Sequence, residues 1–246
     1  MALEVIGNPA RSKGTCVSAE DRVTRSLLGW GAVAGPLYVT VSLAQALTRE
    51  GFQLSRHSWS TLANGSWGWL QTVNLILTGL MVTAFAVGLH RAVNGGIGAR
   101  WIPRLIGVYG ISLVAAGVFR ADPAAGFPVG TPETGAAMSW HGTLHLAAAA
   151  VGFGCFAAAA ILIGLRQRSA GRRTRATLSW ATASLFLITF AAMVGSAGAG
   201  PSTIAFAVAV VVSWGWVTAV AIDFYREVGG TMVPAAGSDD HTPDTR

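Results

Sequence analysis

Six apolar stretches, at roughly 27–47, 69–89, 103–119, 140–164, 177–196 and 202–222, restrict this chain more than any other feature. A helix that crosses a bilayer needs about 20 mostly apolar residues at about 1.5 Å each. Inside lipid the backbone N–H and C=O groups find no water, so only helices and closed barrels satisfy them. Barrel strands alternate apolar and polar residues, whereas these stretches are continuously apolar, as from Leu144 to Leu165. A buried soluble bundle would need polar outer faces and about 25% charged residues. Here 11% are charged and 52% hydrophobic, with a mean hydropathy of +0.52. The expected fold class is all-α, a polytopic transmembrane bundle of six helices.

The basic residues orient that bundle, because Lys and Arg collect on the cytoplasmic side of short connections. One side holds Arg11, Lys13, Arg22, Arg25, Arg91, Arg100, Arg104, Arg166, Arg168, Arg172, Arg173, Arg175, Arg226 and Arg246. The other holds only Arg49, Arg56 and Arg120. Both termini are therefore expected in the cytoplasm of a multi-pass plasma-membrane protein. The chain divides into a polar tail (1–25), a six-helix transmembrane domain (26–224) and a disordered tail (225–246) around Gly237-Ser238-Asp239-Asp240. Residues 1–25 contain no apolar h-region, so the first span is expected to be retained rather than cleaved as a signal peptide. The net charge of +6 is dispersed over short segments that cannot track a phosphate backbone. The expected partner is the lipid bilayer and not nucleic acid.

Tryptophan rings prefer the membrane interface. Trp30, Trp67, Trp69, Trp101, Trp140 and Trp180 all fall at expected span ends, while mid-span Trp214 and Trp216 suit helix packing. Gly31-Ala32-Val33-Ala34-Gly35 has the small-residue spacing of a close helix contact, without naming the partner. Cys16 lies in the polar tail and Cys155 mid-span. A disulfide needs Cα atoms within about 7 Å, so both are expected to be free thiols.

Polar side chains in a bilayer are expensive and tend to mark function. Gln45, Gln71, Asn74, Arg120, Asp122, His141 and His145 gather at one level, the outward ends of spans 1 to 4. The inward half holds little beyond Ser and Thr until His90 and Asp223. Gln71, Asn74 and Thr78 share a helix face by their i, i+3, i+7 spacing, which suits either a pocket wall or hydrogen bonds between helices. His141 and His145 stand one turn apart. They fit three roles: two ligands of a divalent metal completed by Asp122 or Glu133, an acid–base pair, or a cap and a helix-to-helix hydrogen bond. His57 in the first outward loop is a further partner for the site. Pro123, Gly126, Pro128, Gly130 and Pro132 make the second outward loop rigid, and Arg120 lies close enough in sequence to pair with Asp122. Unpatterned loops of this length are uncommon unless functional.

These segments carry a family resemblance. His57-Ser58-Trp59-Ser60 with Gly68-Trp69-Leu70-Gln71, Ala116-Gly117-Val118-Phe119 with Asp122-Pro123 and Gly126-Phe127-Pro128, and His141-Gly142 with His145 resemble the prokaryotic membrane proteins grouped as domain of unknown function 998. The resemblance covers about residues 26–224. It implies a six-span membrane protein and no established activity.

Three functions remain open from the residues alone. The first is an outward-facing pocket of His57, Gln71, Asn74, Arg120, Asp122, His141 and His145 that binds or processes a lipid or hydrophobic metabolite, with or without a metal. The second is a non-catalytic membrane scaffold, and the third a small-molecule transporter. Whether the chain is an enzyme, and its oligomeric state, are not legible. No Gly-x-x-x-x-Gly-Lys, His-Glu-x-x-His, Cys-x-x-Cys or Gly-x-Ser-x-Gly motif points to a common ATPase, zincin, redox or hydrolase chemistry. The orientation is directly testable. A phosphatase reporter fused after Val129 is expected to be active and one fused after Gly171 inactive. The opposite pattern would reverse the assignment.

Overall fold

Each apolar stretch closes its own backbone hydrogen bonds as an α-helix. The computed structural model describes residues 18–134, 137–196 and 200–230. The helices are α1 Ala19–Thr48, α2 Gly68–Ala92, α3 Trp101–Val118, α4 Trp140–Ser169, α5 Arg173–Gly195 and α6 Gly200–Gly230. All six are long and apolar enough to cross a membrane, and no strand occurs among the described residues.

Several helices outrun their apolar stretches. The Ser18 hydroxyl accepts from the Asp21 N–H at 3.0 Å, and Glu20 and Asp21 complement the positive end of the helix dipole. Helix α1 therefore starts at Ala19, inside the segment expected to be tail. At the other end α6 continues to Gly230, beyond the tail boundary expected at 225. Polar pairs hold this last part: Arg172 with Glu227, Arg175 with Asp223 at 2.6 Å, and the Arg25 guanidinium 4.4 Å over the Tyr225 ring. The Glu227 hydrogen bond pushes the Arg172 pKa up. Cys16 and Gly237 to Asp240 lie outside the described residues. Cys155 is a half-buried free thiol.

Each helix packs on its neighbours in sequence, and α6 returns to α1, so the six close into a ring. Small residues set the close approaches. A Cβ on Gly79 would lie 2.7 Å from the Gly110 carbonyl oxygen, so α2 and α3 meet backbone to backbone. A Cβ on Gly35 would lie 2.7 Å from the Trp214 carbonyl oxygen, and one on Gly31 would strike Phe85 and Ala221. The Gly31–Gly35 motif thus packs on α6 of the same chain, with Phe85 of α2 also against Gly31.

Toward the basic-end turns Leu28, Leu89, Ile102, Ile163 and Val217 are fully buried. Trp216 is buried here too, donating from Nε1 to the Ser179 hydroxyl at 2.9 Å. Trp67, Trp69, Trp101 and Trp140 stand exposed at helix ends, as an interfacial belt requires, while Trp30 is exposed three turns inside the extended α1.

Overpacking a tight contact costs about 1–3 kcal/mol. Gly79→Leu is expected to lower stability by that amount in detergent thermal unfolding. Gly154→Ala, whose added methyl meets nothing within 4 Å, is expected to leave it unchanged or slightly raised. Equal transitions for the two variants would refute the backbone contact as a determinant of the ring.

Candidate functional site

The two long loops lie together over one end of the ring and interlock. The first contains a short 3₁₀ helix, Trp59–Ala63, where the sequence suggested no regular element. The second places Phe127, fully buried, against Phe52 at 5.2 Å and the His57 ring at 5.4 Å between centroids. His57 is wholly engaged: the Gln53 N–H donates to Nδ1 at 2.9 Å, and Nε2 lies 3.0 Å from the Ala125 carbonyl oxygen. Since Nδ1 accepts, Nε2 carries the proton. Asn64 donates to the Ala121 carbonyl at 3.0 Å, and Arg56 pairs with Glu133. Arg49, at the end of α1, donates to the carbonyls of Leu62 at 2.9 Å and Asn64 at 2.6 Å. Its guanidinium lies 5.1 Å over the Phe127 ring, and partial burial pulls its pKa down. These contacts make the loops a cap.

Asp122 joins the cap to α4. Its carboxylate accepts from the Ser139 backbone N–H at 2.8 Å and the Ser139 hydroxyl at 2.5 Å, and the same hydroxyl accepts from the Gly142 N–H at 3.1 Å. A carboxylate here complements the helix dipole. Gly142 has to lack a side chain, because a Cβ would lie 2.0 Å from an Asp122 oxygen. One turn further, His145 is buried with Nδ1 3.0 Å from the Ala116 carbonyl oxygen and 2.9 Å from that of Phe119. Two carbonyls can only accept, so Nδ1 is the protonated nitrogen. This bond holds α4 to the last turn of α3.

Beneath the cap lies a cavity of about 270 Å³. All six helices reach it, through Tyr38, Leu75, Tyr109, Gly152, Phe186 and Trp214, and the loops add Trp59 and Asp122. Tyr38 lies 4.9 Å from Trp214 and 6.0 Å from Trp59 between ring centroids, and Trp214 lies 6.1 Å from Tyr109. Phe153, Phe186, Phe190 and Phe206 form a second aromatic group on the α4–α5–α6 side. The wall also includes Met138 and Leu146, which are exposed. Two polar atoms belonging to wall residues are buried without a hydrogen-bond partner, Trp59 Nε1 and Ser213 Oγ. Each such atom costs about 1–3 kcal/mol if left so.

The seven residues expected to form one pocket separate into three groups. His57, Asp122 and His145 line the cavity. Gln71 and Asn74 do not: they are buried between α1 and α2 with Ser42 and Gln45. Asn74 Nδ2 donates to the Ser42 hydroxyl at 3.1 Å, Gln45 Nε2 to Gln71 Oε1 at 2.9 Å, and Gln71 Nε2 to Ser42 at 3.1 Å. That cluster binds two helices together. Arg120 and His141 are exposed. Asp122 turns to Ser139 instead of Arg120, and the His141 ring stacks on Trp140 at 3.7 Å. Among the described residues no three His, Cys, Asp or Glu converge on a point that could hold a metal ion. Glu133 is directed to Arg56. Trp59, Ser213, Tyr38 and Tyr109 were not among the expected site residues. Trp59 and Trp214 are tryptophans that no membrane interface accounts for, and that was the legible signal.

Fold and site together define a six-helix membrane protein whose helix ring encloses a cavity roofed by two interlocked loops. The family model described as "Protein of unknown function (DUF998)" matches residues 32–223, and the chain belongs to that family. No curated protein and no solved structure matches the chain. The match takes in Trp59, Asp122, His145 and Ser213, so cap and cavity both lie within it.

The joint at Asp122 is expected to behave as a unit. Hydrogen bonds to a charged group contribute about 1.5–3 kcal/mol each, and partners in one network are not additive. Asp122→Ala and Ser139→Ala should each speed amide exchange across 119–142, and the double variant should be little worse than either single. Additive effects would show that the two act separately.

Proposed function

We propose that this chain is a plasma-membrane protein, with both termini cytoplasmic, that holds a lipid or other hydrophobic small molecule in the cavity beneath its outward-facing cap. The observation that carries this is the chemistry of the cavity: a mostly apolar wall, two buried polar atoms without partners, and exposed Met138 and Leu146 at its edge. Small-molecule sites are mostly apolar with a few placed polar groups that fix orientation. A helix bundle serving only as a scaffold has no use for the hole, since an unfilled void forfeits dispersion contacts around its lining. A transporter needs a route to the other end. Between this cavity and that end stand the buried side chains of Phe156 and Val217.

Extraction of the purified protein followed by mass spectrometry tests the proposal. A defined hydrophobic compound is expected to co-purify in amounts close to the protein's own. Ala149→Phe and Ala207→Phe, which project bulk from the cavity wall, should reduce it at least about fivefold, the effect of losing about 1 kcal/mol. Ala181→Phe, on the exposed face of α5, should not. Equal content in all four proteins would sink the proposal.

A further inference from the structure

Two side chains in the cavity wall each carry a single polar atom and leave it idle. Trp59 is 6% exposed and Ser213 4% exposed, and neither Trp59 Nε1 nor Ser213 Oγ has a partner. An indole N–H only donates, so nothing but an acceptor satisfies Trp59. Ser213 has forgone the usual local solution. Hydroxyls within helices fold back onto the carbonyl four residues earlier, as Thr78 does to Asn74 at 2.6 Å, Ser112 to Val108 at 2.8 Å and Thr189 to Leu185 at 2.7 Å. Gln45 and Asn74 also keep an unpartnered carbonyl oxygen, but their amide N–H groups are used and neither residue lines the cavity.

The charge and size of the cavity narrow the ligand further. No Lys or Arg lines it, so an anionic headgroup meets no countercharge. Its lone carboxylate, Asp122, is held by Ser139, and both nitrogens of His57 are engaged. A cation would meet the positive end of the Trp59 N–H dipole. At roughly 30 Å³ per water, a cavity of about 270 Å³ has the room of about nine waters. That is room beneath the cap for the end of one ring or one chain, of about ten non-hydrogen atoms.

We infer that the cavity takes the uncharged, oxygen-bearing end of a single-chain or single-ring amphiphile, such as an alcohol, ketone or ester. Its oxygen accepts from Trp59 Nε1–H, with the Ser213 hydroxyl as the second polar partner, and its apolar part runs out past Met138 and Leu146. This rests on the ligand-binding reading of the cavity and adds the class of the ligand.

The test uses the full chain in phosphatidylcholine nanodiscs and three diazirine probes on the same ten-carbon chain: an alcohol, a carboxylate and a primary ammonium. The alcohol is expected to label peptides bearing Trp59 and Ser213, with competition from excess decanol, and the charged probes to label them at least about fivefold less. Ser213→Ala removes one polar atom at nearly constant shape, and Trp59→Phe removes the N–H donor along with part of the ring. Each should cut alcohol labelling about fivefold, as the loss of one net hydrogen bond predicts. Equal labelling by either charged probe overturns the uncharged-end inference while leaving cavity binding intact, as does unchanged labelling in both variants. No cavity labelling by any probe, with Ala207→Phe indistinguishable from the parent chain, overturns cavity binding itself.

Discussion

Six helices that each pack on their neighbours in sequence, with the last returned to the first, make a ring, and a ring of six cylinders has a centre to fill. At about 10 Å between packed axes, opposite helices stand too far apart for small side chains to meet. In the middle of the bundle the chain fills that space with Phe156 and Val217. Toward the loops it does not. Gly152 and Ala149 on α4, Ala116 on α3 and Ala207 on α6 recede from the centre, and the cavity is what they leave. The cap follows from the same geometry. An open ring end would expose the aromatic group around Tyr38 and Trp214, so both long loops fold over it and fix each other through Phe127, His57 and Arg49.

The polar residues at this level have different duties, although sequence position groups them. Between α1 and α2 the Ser42–Gln45–Gln71–Asn74 cluster uses most of its own hydrogen-bonding capacity, so it holds helices and has little left for a ligand. His57, Asp122 and His145 sit at the cavity, yet each is committed to the backbone or side chains of the cap and its junctions. Their role is to hold the roof in register over the hole. The buried polar atoms of the cavity wall that have no partner come from residue types that seldom attract attention in a membrane sequence, one tryptophan and one serine.

That difference explains what was legible in the sequence. The number of spans and their class were legible because the need to bury backbone polar groups in lipid leaves no alternative to continuous apolar helices. Span ends were legible where tryptophans mark an interface, as at Trp101 and Trp140, and illegible where capping and ion pairs carry a helix on into polar sequence. Ser18 extends α1 this way, and Arg172 and Arg175 hold the end of α6. The gathering of polar side chains toward one end of the ring was legible from the cost of polar groups in a bilayer. Its division into glue, roof and cavity was not, because it depends on which helix faces which. Gln71 faces α1 rather than the centre, and no residue spacing within α2 states that. Nor could the loops' interlock be read, since it joins residues as far apart as His57 and Ala125.

Cost is informative only after every cheap remedy has been counted, and this is where Trp59 and Ser213 differ from the rest. A buried glutamine or histidine in a helix bundle is dear, but in this chain each has found protein partners, so its expense is already explained by the fold. A tryptophan is cheap to bury by its ring and dear only by one N–H. That N–H could have been avoided with phenylalanine, which fits the same apolar surroundings of Tyr38 without an unmet donor. Serine at 213 could have been alanine, which recurs along α6, or could have turned its hydroxyl back on its own helix as Thr189 does. Stability alone favours those replacements at both positions. Packing does not account for the polar atoms kept at these two wall positions against that preference, and an acceptor oxygen in the cavity would give the Trp59 N–H its missing partner.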